Sequence, residues 1–183
     1  MHHKGVHYIN RKGVRLLDNK MKQVFKINII FLFMSFTVLF ASTAADKVVI
    51  EKSTKTLFLM KKGKIFKQYH VVLGAHPRGH KQKQGDERTP EGNYILDFKN
   101  SHSGFHKAIH ISYPNTQDKK QARKMHVNPG GAIMIHGQKN GFEWLSFAAQ
   151  YFNWTDGCIA VKNKDMDEIW NAVRPGTPIE IKP

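Results

Sequence analysis

Short β-branched and aromatic runs, each cut off by lysine, glycine or proline turns, fill the sequence from Lys47 onward and commit it to a β-rich fold. Lys47 to Glu51 and Thr56 to Met60 are the first two runs. Lys61-Lys62-Gly63-Lys64 then turns the chain into a third, Ile65 to Leu73, which Gly74 ends. Asn93–Phe98, Ala108–Ser112, Ala132–His136 and Thr177–Ile181 read as further strands. Two segments break the pattern. Gln117 to Met125 reads as a short helix with Asp118 near its start. Lys164 to Val173 places Met166, Ile169, Trp170 and Val173 at helical spacing, with Asn163 as the expected N-cap and Pro175-Gly176 as the stop. The expected fold class is mostly β with one or two helices, in a single sandwich-like domain without repeats. The aromatics Phe142, Trp144, Phe147, Tyr151, Phe152 and Trp154 are expected mainly in the core, with Trp144 or Trp154 lining a groove.

The first 45 residues read differently. Lys22 and Lys26 precede the apolar stretch Ile27–Phe40, and Ala41-Ser42-Thr43-Ala44-Ala45 follows it. A basic start, a short apolar run and a small-residue cleavage site together form a signal peptide. A bilayer span needs about 20 apolar residues, more than this run offers. Residues 1–20 read as an upstream extension, 21–45 as the signal peptide, and 46–183 as the exported domain, with no stable membrane span after cleavage. The whole chain carries 29 Lys and Arg against 14 Asp and Glu. Removing the seven basic and one acidic residues of 1–45 leaves 22 against 13. Such a basic exported domain suits an anionic envelope. The basic residues are spread along the chain rather than gathered on one helix, and with export this argues against nucleic acid as the partner.

Cys158 is the only cysteine, in the turn Thr155-Asp156-Gly157-Cys158. It cannot be half of an internal disulfide, so it is an inert core residue, half of an intermolecular bridge or a nucleophile. Small and polar neighbours favour the nucleophile. A thiol near pKa 8.5 is mostly protonated at neutral pH and needs a base. His136, at the end of an apolar strand before Gly137, is the candidate. Such a pair performs acyl transfer through a thioester, with the Cys158 amide as a candidate oxyanion donor. The chain has 11 histidines. The spacing of His102, His106 and His110 suggests a metal only on a continuous helix, which Ser103-Gly104 and the strand-like Ile109-His110-Ile111 oppose, so neither metal nor cofactor is expected. The polar stretch Ala75–Pro90 is too long for a hairpin turn, and ordered loops of this kind tend to be functional.

Ile135-His136-Gly137 followed by Thr155-Asp156-Gly157-Cys158-Ile159 resembles the signature of the L,D-transpeptidase catalytic domain family (YkuD-like). Gly85 to Tyr94, with its Thr89-Pro90-Glu91-Gly92-Asn93-Tyr94, Pro129-Gly130-Gly131 and Pro175–Pro178 agree in order. Two departures bear on substrate detail: Ala160 where many members carry arginine, and Asp156 where histidine is common. The resemblance implies Cys158 as nucleophile, His136 as base and a Gly137 carbonyl orienting the imidazole. It implies peptidoglycan tetrapeptide stems as partners, cleaved between diaminopimelate and D-alanine, in the periplasm or cell envelope. Substrate contacts are expected from Thr155, Asp156 and Gly157 in the cysteine turn and from Arg88 and His80 in the polar loop. The acyl-enzyme would pass to an amine, as in a transpeptidase, or to water, as in a carboxypeptidase or amidase. A non-catalytic wall-binding module is the reading outside enzymes.

Overall fold

The structure, a computed structural model, describes residues 43–142, 144 and 148–183. The upstream extension, most of the signal peptide and Phe147 lie outside the described residues. Eight strands form one sheet: β1 (Lys47–Glu51), β2 (Thr56–Lys61), β3 (Lys64–His70), β4 (Gly92–Asn100), β5 (Ala108–Ile111), β6 (Met134–His136), β7 (Ile159–Ala160) and β8 (Thr177–Lys182). Their spatial order is β3-β2-β1-β8-β4-β5-β6-β7. The β1–β8 and β6–β7 pairs are parallel and the others antiparallel. Helices α1 (Thr116–Lys124) and α2 (Asn163–Ala172) complete a mostly β single domain.

The period-2 pattern decides which face is inside. Leu57 and Leu59 of β2, Ile109 and Ile111 of β5, and Ile179 and Ile181 of β8 are buried in one cluster. Each such side chain contributes about 1.5–3 kcal/mol on leaving water. Helix α2 lays Met166 and Ile169 on the same core, with Val173 just beyond its end, while Trp170 is only partly covered. At the hairpin β2–β3, Lys62 and Gly63 both have positive φ, which matches the twist of the strands they join.

The third run differs from expectation in an informative way. Strand β3 ends at His70, and the fully buried Val71, Val72 and Leu73 leave it for the far end of the sheet. There the Val72 N–H donates to Ala160 O and the Ala160 N–H to Val72 O, both at 2.8 Å. The sheet therefore curls until its first strand's extension meets its last strand. Beyond the meeting point Ala75 N–H donates to Thr155 O (3.0 Å), drawing the loop 75–90 against the turn that carries Cys158.

That loop has no regular structure and is held by two buried lysines. Lys52 donates to Gly79 O (2.8 Å), Thr89 O (3.1 Å) and Glu91 (2.6 Å). Lys81 pairs with Asp86 at 2.7 Å. His80 fixes a third point: its Nδ1 accepts from the Glu91 N–H (3.0 Å) and its Nε2 faces the Asp118 carboxylate (3.1 Å). Asp118 meanwhile closes the capping box of α1 with Asn115 and accepts from the Tyr94 hydroxyl.

Two further expectations are corrected. Phe142, Trp144, Tyr151 and Phe152, on the excursion between β6 and β7, are exposed rather than core, and among the described residues no helix or strand packs over them. Asn163 is not the N-cap of α2; Lys162 is, without a side-chain hydrogen bond, and Asn163 Oδ1 instead accepts from the Gln138 N–H at 2.7 Å.

The loop and the cysteine turn meet at Gly157, whose φ is +126° and where a Cβ would lie 2.6 Å from Arg88 O. Gly157→Ala should therefore cost about 1–3 kcal/mol through overpacking. A denaturation midpoint equal to the parent's would contradict this contact.

Candidate active site

Strand β6 pairs with β7 so that His136 stands opposite Ala160 and Ile135 opposite Ile159. Paired residues share a face and alternate residues return to it, so Cys158 lies on the side His136 occupies. Both line one groove of ≈ 450 Å³. Its walls come from the excursion after β6 (Trp154, Thr155, Asp156), from Phe105, from Gly130-Gly131-Ala132-Ile133 and from the loop residues Lys81, Gln84 and Gly85.

His136 is buried and oriented by main chain. Its Nδ1 lies 2.7 Å from Gly137 O, and since a carbonyl only accepts, Nδ1 carries the proton and Nε2 is the basic nitrogen of the neutral ring. The ring packs against Phe105 at 4.2 Å between centroids and meets Trp154 edge-on at 6.0 Å. Burial pushes its pKa below the usual histidine value, partly offset by the Gly137 carbonyl. The carbonyl is itself fixed. Gly137 N–H donates to His106 O (2.9 Å), and the next residue is held through its N–H by Asn163 Oδ1 (2.7 Å) and through its side-chain amide by Val161 O (3.0 Å). A Cβ on Gly137 would stand 2.6 Å from His106 O, so only glycine allows this approach.

The thiol of Cys158 is partly buried and points at Ala132 O, 3.5 Å away. Burial pushes its pKa up and Asp156 adds to this; the Met134 backbone and the Lys81 charge act the other way. The thiol's upward shift and the imidazole's downward shift both favour the neutral pair. The turn holding the sulfur is built by Thr155, whose Oγ1 donates to Cys158 O (2.7 Å) and accepts from Gly157 N–H (3.2 Å).

Of the residues read from sequence as substrate contacts, Thr155 and Asp156 line the groove, and Gly157 shapes the turn behind it. Arg88 and His80 do not line this groove. Arg88 sits in a separate depression with His76, Gln82, Lys83 and Asp86. His80 has both ring nitrogens engaged by Glu91 and Asp118, which leaves none for a ligand. The groove's basic residue is Lys81, one of several cations in that loop and not singled out by its sequence context. Among the described residues no group of three or more His, Cys, Asp or Glu is arranged to hold a metal ion.

The fold and this groove define a class, and the chain belongs to the L,D-transpeptidase catalytic domain family (YkuD), which matches residues 45–181. Among particular relatives, it is 31% identical over 132 residues to YafK of Escherichia coli K12, itself named only provisionally as an L,D-transpeptidase. That match covers 69% of this chain and 46% of YafK, so the chain spans about half the length of the curated relatives it matches. Pgp2 of Campylobacter jejuni, described as a helical cell shape determining protein, has a similar fold with a TM-score of 0.57 and 24% identity, over 74% of this chain and 46% of that one. An L,D-transpeptidase from Xylanimonas cellulosilytica shares the fold at TM-score 0.50 and 15% identity, over 78% and 62% of the two chains.

Alkylation by iodoacetamide reads the charge state of the thiol directly. Because burial disfavours the thiolate, the pH midpoint of Cys158 alkylation should lie above the ordinary thiol value, and Asp156→Asn should lower it. A midpoint below neutrality would mean a resting thiolate–imidazolium pair instead.

Proposed function

We propose that this domain is an exported acyl-transfer enzyme that acts on peptidoglycan tetrapeptide stems through a Cys158 thioester. The observation that carries the reading is the groove shared by Cys158 and His136, with His136 Nδ1 tied to Gly137 O so that Nε2 is the free base. Nε2 takes the thiol proton as sulfur attacks the carbonyl between diaminopimelate and D-alanine. The tetrahedral oxyanion collapses, the carbon–nitrogen bond breaks, and the imidazolium returns its proton to the departing D-alanine amine. In the second half an acceptor amine attacks the thioester, gives its proton to His136, and the thiol is regenerated as the new amide leaves. Membership of the L,D-transpeptidase family supports the reading. Export rests on the segment before Ala45, and N-terminal sequencing of envelope material should find a start at Ala45 or Asp46.

Incubation with disaccharide-tetrapeptides, read by mass spectrometry, tests the function. Cross-linked dimers are the expected product. Tripeptides alone would mean that water resolves the thioester, making the domain a hydrolase. Unchanged substrate with folded protein would leave a wall-binding module as the better reading. His136→Ala should slow acylation about 100-fold or more while the fold persists. A carbapenem should add once per chain to the parent and not to Cys158→Ser; an adduct that persists in the serine variant would move the nucleophile elsewhere.

A further inference from the structure

Lys81 is the only lysine or arginine lining the groove among the described residues. It is 3% exposed, a burial lysine reaches only when paired. Its ammonium donates to Asp86 Oδ1 at 2.7 Å and to Lys83 O at 3.2 Å. An ammonium has three N–H donors, and among the described residues two are engaged.

Asp86 is more fully spent. Besides Lys81 it accepts from the N–H groups of Gln82 (2.7 Å), Lys83 (3.1 Å) and Arg88 (3.2 Å). Burial alone would raise its pKa, but these four donors outweigh burial and hold it at about 2. The carboxylate is thereby fixed as the anchor of Lys81, and the ammonium is fixed in turn at the groove wall. Folding has already met the desolvation and side-chain entropy of this cation, so a ligand oxygen arriving there meets an ordered, unspent donor.

The surroundings suit a small charged group. Two loops clasp beside Lys81, with Gln84 N–H donating to Asn128 O (2.8 Å) and Asn128 Nδ2 to Gln84 Oε1 (3.0 Å). They bring Gly85 and Gly130-Gly131, which have no side chains of their own, to the groove surface beside Gln84. Strand β7 after the cysteine brings no competing cation, since it consists of Ile159 and Ala160, both apolar and buried.

We propose that Lys81 binds a carboxylate of the substrate, so that the glycine-lined part of the groove selects peptides bearing a free carboxylate near the bond to be cleaved. This rests on the acyl-transfer reading above. The carboxylate has two possible sources: the C-terminus of the leaving residue, or the free carboxylate of the diaminopimelate on the acyl side.

The test is calorimetric binding to the full chain carrying Cys158→Ala, which cannot turn substrate over. Three tetrapeptide stems are compared: the free acid, its C-terminal carboxamide, and the form amidated at the diaminopimelate carboxylate. One amide should bind at least ten-fold more weakly than the acid, and which one names the source. Lys81→Met should abolish that difference, leave the other comparison unchanged, and be rescued by Lys81→Arg. Because Lys81→Met strands the Asp86 charge, Lys81→Met with Asp86→Asn serves if the single variant unfolds. Equal binding of all three peptides overturns the role of Lys81 alone, as does a difference that survives Lys81→Met. Failure of every peptide to bind, with no turnover by the parent, overturns the functional reading and this proposal together.

Discussion

Two reciprocal main-chain hydrogen bonds, Val72 with Ala160, govern the rest of the molecule. They turn an open eight-stranded sheet into a curled one and bring the segment after β3 beside β7, nearly ninety residues further along the chain. That closure sets the loop 75–90 against the cysteine turn, where the Ala75 N–H donates to Thr155 O. The lysine clamps, Lys52 to Glu91 and Lys81 to Asp86, hold the same loop from two further points.

The site is assembled from the same material. His136 is aimed by a carbonyl rather than a carboxylate, and the carbonyl is fixed by His106, Asn163 and Val161 acting on Gly137 and Gln138. A carbonyl sets the tautomer without supplying a full negative charge, so burial dominates and the imidazole stays neutral at rest. Asn163 illustrates the economy of the design. Its side chain leaves the helix it begins and supports the turn after His136 instead.

Most strands were legible because alternation survives wherever one face is buried, as in β2 and β8. The family signature likewise made Cys158 and His136 readable as a pair. Strand β7 was not legible: two residues, Ile159 and Ala160, carry no period. The aromatics between β6 and β7 misled because composition signals burial only where a second layer exists to provide it. Asn163 was misread because one acceptor serves equally at a helix start or across space. Among the cations of the loop 75–90, sequence could not separate Lys81 from Arg88 or His80. The distinction lies in which partners each one meets: Asp86 ties Lys81 into the groove wall, whereas Glu91 and Asp118 saturate His80.

The burial that keeps Cys158 protonated also bears on its chemical survival. Peroxides and disulfides attack thiolates, and susceptibility to oxidation follows thiolate character and exposure. A lone sulfur outside the reducing cytosol would have no second cysteine in its own chain to form a reversible disulfide. Partly buried and directed at Ala132 O, with burial raising its pKa, it offers oxidants less thiolate to react with. The packing that shapes the cysteine turn thus also shelters its sulfur from oxidation.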